Sequence, residues 1–225
     1  MSLIEKISGI YKEYAVEHYG NWIIVISLVL LSLFFIFKYL PLKTKFQKRS
    51  GGVFIAFIIA LFTEMYGFPL TIYFLSSFFG IKIPLTNKGG HLLGNLLTYL
   101  GLGNGWLIVM ITSTILIAIG LWLIIDGWEK VYYSKGRLIT AGIYSKMRHP
   151  QYSGILLISF GFLIQWPTLI TLILFPFLVV MYYKLAKREE KDIEEKYKKK
   201  YLNYKEKVPM FIPHIKRYLK NNKRR

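Results

Sequence analysis

The sequence predicts an all-α, polytopic membrane protein with about five transmembrane helices, the last two forming a hairpin, followed by a cytosolic C-terminal helix. Three observations predict it. Of 225 residues, 54% are hydrophobic and 17% aromatic, far more than the core of a soluble domain of this length requires. The apolar residues fall in continuous runs of ~20, the length that carries a helix across ~30 Å of hydrocarbon. The basic residues, 30 Lys and Arg against 12 Asp and Glu, cluster beside those runs. The resulting charge of +18 would by itself suit nucleic acid. Beside apolar spans it instead marks the cytoplasmic side and anionic lipid headgroups, so no nucleic-acid partner is expected. The absence of cysteine excludes disulfides, thiolate nucleophiles and Cys-ligated metals.

The elements follow in order. Residues 1–20 place Ile4, Ile7, Ile10, Tyr11 and Tyr14 at helical spacing and predict a short interfacial helix, with acidic residues that a signal peptide lacks. The first span runs from Asn21 to about Leu40 and ends at Pro41. A basic loop, KTKFQKRSGG, leads to a second span from about Gly52 to Phe79, with Glu64 in its middle. Residues 80–104 are Gly-rich and poor in charge, which suggests partial re-entry. The third span is Gly105 to about Ile125. From Tyr152 to Tyr183 the chain is apolar for longer than one bilayer crossing. The break Gln165-Trp166-Pro167 divides it into spans four and five, with span four short. Lys and Arg placement then sets the N-terminus outside and the C-terminus in the cytoplasm, in a prokaryotic plasma membrane. Two regions are expected: 1–128, with the interfacial helix and three spans, and 129–225, with the hairpin and tail.

Chemistry concentrates in the second region. In GIYSKMRHPQYSG (142–154), Pro150 suits the first turn of a helix, where its missing N–H costs nothing. The amides that follow are open to an anion, and Arg148 adds a fork of donors for a carboxylate or phosphate. In the tail, Ile193, Tyr197, Tyr201, Tyr204 and Val208 recur at intervals of three and four and draw one apolar-aromatic stripe, the signature of a helix folded back as a lid. Pro209 and Pro213 end it. A basic interfacial anchor and a solvated basic helix on anionic lipid remain the plain alternatives. Glu64 is costly in mid-span and reads as a substrate contact or a buried structural hydrogen bond. His18, His91 and His214 are scattered, and no metal-ligand cluster is seen.

Residues 138–154, LITAGIYSKMRHPQYSG, resemble the cofactor motif of isoprenylcysteine carboxyl methyltransferases and their prokaryotic relatives. Residues 188–213, with a Glu-Glu pair, Tyr-x-x-Tyr-Lys and Val-Pro, resemble the second half of that motif. The resemblance implies S-adenosylmethionine as cofactor, bound between the last spans and the tail. It assigns cofactor contacts to Gly136, Arg137, Leu138, Ile139, Tyr144, His149, Pro150, Gln151, Tyr152 and Glu189; Arg148, with its donor fork, and Glu189 are the expected catalytic residues. The acceptor it implies is lipid-like. Where members acting on a prenylcysteine carboxylate carry an arginine, this chain has Leu185, flanked by Lys184 and Arg188 as substitutes. With Glu64, these two complete the expected acceptor contacts. Two readings compete: an NADPH-dependent membrane lipid or sterol reductase, and a non-catalytic protein whose basic tail binds anionic lipid.

Overall fold

Asn21 starts the first helix by accepting the Ile24 N–H on its side chain, and α1 (Trp22–Tyr39) follows. The computed structural model describes residues 19–40, 42, 44–81, 87–134 and 137–213. The expected interfacial helix therefore lies outside the described residues except for Tyr19 and Gly20. So do His18, Gly136 and His214. Within α1 only Val25 and Ile36 are buried. Ile23, Leu30, Phe34 and Phe37 stand exposed, a face that suits lipid tails and not water.

Thr44 and Gln47 form a reciprocal capping box that starts α2 (Lys45–Phe62), satisfying two amide donors that the first turn would leave open. The helix thus begins seven residues before the expected Gly52. It also ends early. A π-helical turn, Thr63–Gly67, follows it, and α3 (Leu70–Phe79) begins only after Phe68-Pro69. The second span, expected as one helix to Phe79, is divided there because proline supplies no N–H to continue the ladder. Of residues 80–104, the described part forms a single turn, Asn87–Gly90, and α4 (Leu92–Tyr99).

The third span, α5 (Gly105–Tyr133), is 29 residues long, or roughly 43 Å. It outruns the expected end at Ile125 and carries the polar DGWEKVYY segment as helix. Its partner is α6 (Pro150–Gln165), and the two cross at glycines. A Cβ on Gly120 would lie 2.7 Å from the Gly154 carbonyl oxygen, and one on Gly154 would lie 2.5 Å from that of Gly120. Small residues let two membrane helices approach this closely. Pro150 is thereby seated beside Gly127.

The hairpin turn at Trp166-Pro167 appears as expected. Thr168 and Thr171 cap α7 (Leu169–Lys205), which is 37 residues long and kinked at Lys198. Its apolar part ends near Tyr183. The charged tail helix is its direct continuation, redirected at Lys198, whose φ is 44°. Phe57, Leu61, Ile155, Leu178 and Tyr182 form the core shared by α2, α6 and α7. Among the described residues, four helices, those containing α1, α2, α5 and α7, are long and apolar enough to cross a membrane. The 16-residue α6 is the short arm of the hairpin.

Candidate functional site

The bundle has two ends. At one, Glu64, Thr71, His91 and the 165–168 turn meet. At the other, the start of α2, the last turns of α5, residues 137–152 and the charged half of α7 converge around a cavity of about 430 Å³.

Local chemistry builds this second end. Gly142 takes a φ of 63° to enter the 3₁₀ turn Gly142–Ser145, a conformation that Cβ disfavours. The turn presents Tyr144, whose hydroxyl donates to the Gly127 carbonyl at 3.2 Å. Tyr204 donates in turn to the Tyr144 carbonyl at 2.5 Å. The 148–153 segment and the chain end lie side by side. The Arg148 N–H donates to the Pro209 carbonyl at 2.9 Å, the His149 N–H to Met210 at 3.0 Å, and the Ser153 hydroxyl to Phe211 at 2.9 Å.

Arg148 locks this arrangement. Its Nη1 donates to the carbonyls of Lys205 (2.8 Å) and Val208 (3.0 Å), and its Nη2 meets Glu190 Oε1 at 2.8 Å. His149 Nε2 lies 3.2 Å from the same oxygen, and Lys205 Nζ lies 3.6 Å from Glu190 Oε2. The Glu190 side chain is 1% exposed. Burial raises its pKa, but the His149 hydrogen bond and the charges of Arg148, His149 and Lys205 outweigh this and hold the carboxyl below its ordinary value. Burial pushes the Tyr204 hydroxyl up to about 12, with Arg148 opposing and Glu190 adding. Burial also raises Tyr144, with Tyr204, Glu189 and Asp126 adding to it. Both tyrosines are therefore neutral hydrogen-bond donors near pH 7.

Glu189, the other half of the pair, lines the cavity. Its Oε1 accepts from the Tyr152 hydroxyl at 2.6 Å and from Gln47 Nε2 at 2.8 Å. Every described residue expected to contact cofactor lines the same cavity: Arg137, Leu138, Ile139, Tyr144, His149, Pro150, Gln151, Tyr152 and Glu189. Ile193, Tyr197, Tyr201 and Tyr204 of the tail stripe line it as well, and Tyr201 and Val208 are buried.

Three expectations change. Arg148 borders the cavity, yet both of its Nη atoms are bound to the end of α7 and to Glu190 rather than offered to a ligand. The reason is physical: the last carbonyls of a helix lack intrahelical donors, and a buried carboxylate needs a counter-charge. Glu64 is not brought to the site. It is buried at the opposite end, where it accepts the Thr71 N–H at 2.9 Å beside a void of only about 10 Å³. Lys184 and Arg188 are exposed and do not border the cavity. Arg188 lies over the Phe46 ring, 4.0 Å from its centroid. Gln47 and Asp192 border the cavity without having been singled out. Asp192 lies three residues from Glu189 on the same helix face, a signal the spacing carried. Gln47 falls in the stretch expected as a basic loop, although it lies in the first turn of α2, and carried none.

Comparison with known proteins bears on the same region. Residues 96–200 match the family model described as phospholipid methyltransferase. The chain is 33% identical over 133 residues to a methanethiol S-methyltransferase of Crocosphaera subtropica, covering 56% of this chain and 49% of that protein. It is 34% identical over 82 residues to protein-S-isoprenylcysteine O-methyltransferase B of Arabidopsis thaliana, covering 35% and 41%. The chain thus spans about half the length, or less, of these curated relatives. No solved structure matches it.

Proposed function

We propose that this chain, whose residues 96–200 match the phospholipid methyltransferase family model, is an integral-membrane methyltransferase that draws its methyl group from S-adenosylmethionine and transfers it to a lipid-like or small apolar acceptor. One observation carries the reading. The two motif halves, separated by the hairpin, line a single cavity of nucleoside-ligand size. Its chemistry fits a zwitterionic, aromatic, sulfonium-bearing molecule. Glu189 offers a carboxylate to hydroxyl or amino donors. The first turn of α6 offers amides to a carboxylate. Tyr144, Tyr197, Tyr201 and Tyr204 offer aromatic faces, which attract a cationic centre.

When bound, this cofactor supplies a methyl group already activated by the sulfonium. The protein's task is then alignment and exclusion of water. The Arg148–Glu190 pair holds the tail stripe against the 144–152 segment, and the tyrosines of that stripe wall the cavity. The buried Leu185 (3% exposed) stands where the resemblance expects an arginine for a carboxylate acceptor. Neither Lys184 nor Arg188 replaces it at the cavity. We therefore favour an acceptor without a carboxylate, in keeping with the small thiol named in the first relative. The basic loop, the basic segment after α5 and the tail support an orientation with the cavity on the cytoplasmic side and the N-terminus outside.

The test is ligand-induced thermal stabilisation of the detergent-purified protein. S-adenosylhomocysteine should raise the melting temperature and NADPH should not. Glu189→Ala should weaken S-adenosylhomocysteine at least ~10-fold, the worth of a charge-assisted hydrogen bond, with the unliganded melting temperature little changed. With labelled methyl donor, a small alkyl thiol should accept label in preference to a prenylcysteine. No shift with millimolar S-adenosylhomocysteine overturns the proposal.

A further inference from the structure

Gln47 lies outside the family-matched region, 142 residues from Glu189 in sequence, yet its Nε2 donates to Glu189 Oε1 at 2.8 Å. Its carboxamide is held at both ends. The Oε1 atom accepts the Thr44 N–H at 3.0 Å, while the Gln47 N–H donates to Thr44 Oγ1 at 3.2 Å. The orientation of the amide is thereby fixed: its oxygen must face a backbone donor and its nitrogen a carboxylate. The neighbouring Phe46 ring carries the Arg188 guanidinium, so two consecutive residues of α2 clasp two consecutive residues of α7. Tyr152 donates to the same Glu189 oxygen as Gln47, which leaves Oε2 as the acceptor for a ligand.

We infer that Gln47 is a positioning residue of the cofactor site, through which the N-terminal half of the chain orients Glu189. The inference rests on the proposed cofactor. It predicts that the site is incomplete without α2, and that the capping box at the start of a membrane helix also aims a binding carboxylate.

Gln47→Glu separates the two roles. Glutamate is itself a capping-box residue at this position, so the start of α2 is preserved. The donor to Glu189 is lost, and a second carboxylate is set against it. The groups around the pair are Tyr152 and Tyr144 from the 142–152 side and Arg188, Asp192 and Lys196 on α7, with Lys45 and Lys48 the charged neighbours of Gln47 along α2. At pH 7.5 the S-adenosylhomocysteine dissociation constant, read by isothermal titration on the full chain, should rise at least ~10-fold, with the unliganded melting temperature held. The deficit should shrink toward pH 5 as the introduced carboxyl takes up a proton and donates again. Gln47→Met, without either charge or donor, should show a loss that does not vary with pH. Gln47→Glu binding within twofold of wild type across this range overturns the inference alone, as does a Gln47→Met loss confined to the unliganded melting temperature. A wild-type protein that binds no S-adenosylhomocysteine overturns the functional proposal together with it.

Discussion

The two ends of the bundle each bury a carboxylate, and they use it differently. At the end nearest the hairpin turn, Glu64 accepts one backbone N–H from Thr71 beside a void of about 10 Å³. That end is stitched by short contacts: Leu169 N–H to Thr71 Oγ1 at 2.9 Å, and His91 Nδ1 to the Gln165 carbonyl at 2.8 Å. At the other end Glu190 is equally buried but ringed by Arg148, His149 and Lys205. Its neighbour Glu189 opens on about 430 Å³. A carboxylate's prominence in the sequence therefore does not predict its task. Its partners do: Glu64, held by Thr71 and Thr168 beside a small void, serves as a joint, whereas Glu189, held by Tyr152 and Gln47 on the wall of a large cavity, is the carboxylate proposed to accept from a ligand.

The sharpest way to break this contrast is Arg148→Met. It leaves Glu190 buried with its principal counter-charge gone, a loss of about 3–5 kcal/mol for a buried pair. The latch on residues 205–211 should open, and limited proteolysis should cut the tail where the wild type resists. Unchanged protection would mean that the backbone pairing of 148–149 with 209–210 holds the tail by itself.

Acid should do the same more gently. Because the Glu190 carboxyl is held below its ordinary value, its contribution is fully present above the unfolded carboxyl pKa of about 4.3. It is lost as pH falls through the lower, folded value. Tail protection should therefore weaken only below about pH 4, and this acid step should be missing from Arg148→Met. A protection midpoint well above pH 4 would show that a group other than Glu190 controls the tail.

The smallest effect is expected at the opposite end. Glu64→Gln keeps an oxygen for the Thr71 N–H, so stability should change by less than about 1 kcal/mol, and S-adenosylhomocysteine affinity by less than twofold. A tenfold loss of affinity would show that the two ends are coupled and that Glu64 belongs to the site after all.

Much of this was legible in residues read along the chain. The Trp166-Pro167 break and Pro150 at a helix start are local patterns, and each appears where the pattern put it; the apolar runs located the spans but not the bounds of the second and third. The tail stripe, at intervals of three and four, correctly grouped Tyr197, Tyr201 and Tyr204 on one face. Other features were not legible. The division of the second span at Phe68-Pro69 depends on a π turn closed from Phe68 N–H to the Thr63 carbonyl. The retirement of Arg148 into a latch depends on carbonyls near residue 205.

The sequence by itself determined the all-helical, span-bearing architecture, because that depends on periodicity and composition within one stretch of chain, while the two motif halves were legible only through their resemblance to a known family. Tertiary structure alone decided which polar groups share a site. It joined Gln47 to Glu189 across 142 residues, removed Glu64 to the far end and turned Arg188 onto Phe46. The helices are held by apolar faces that tolerate many registers, and only their packing, set at close contacts such as Gly120 on Gly154, selects the register that brings those side chains within hydrogen-bonding distance.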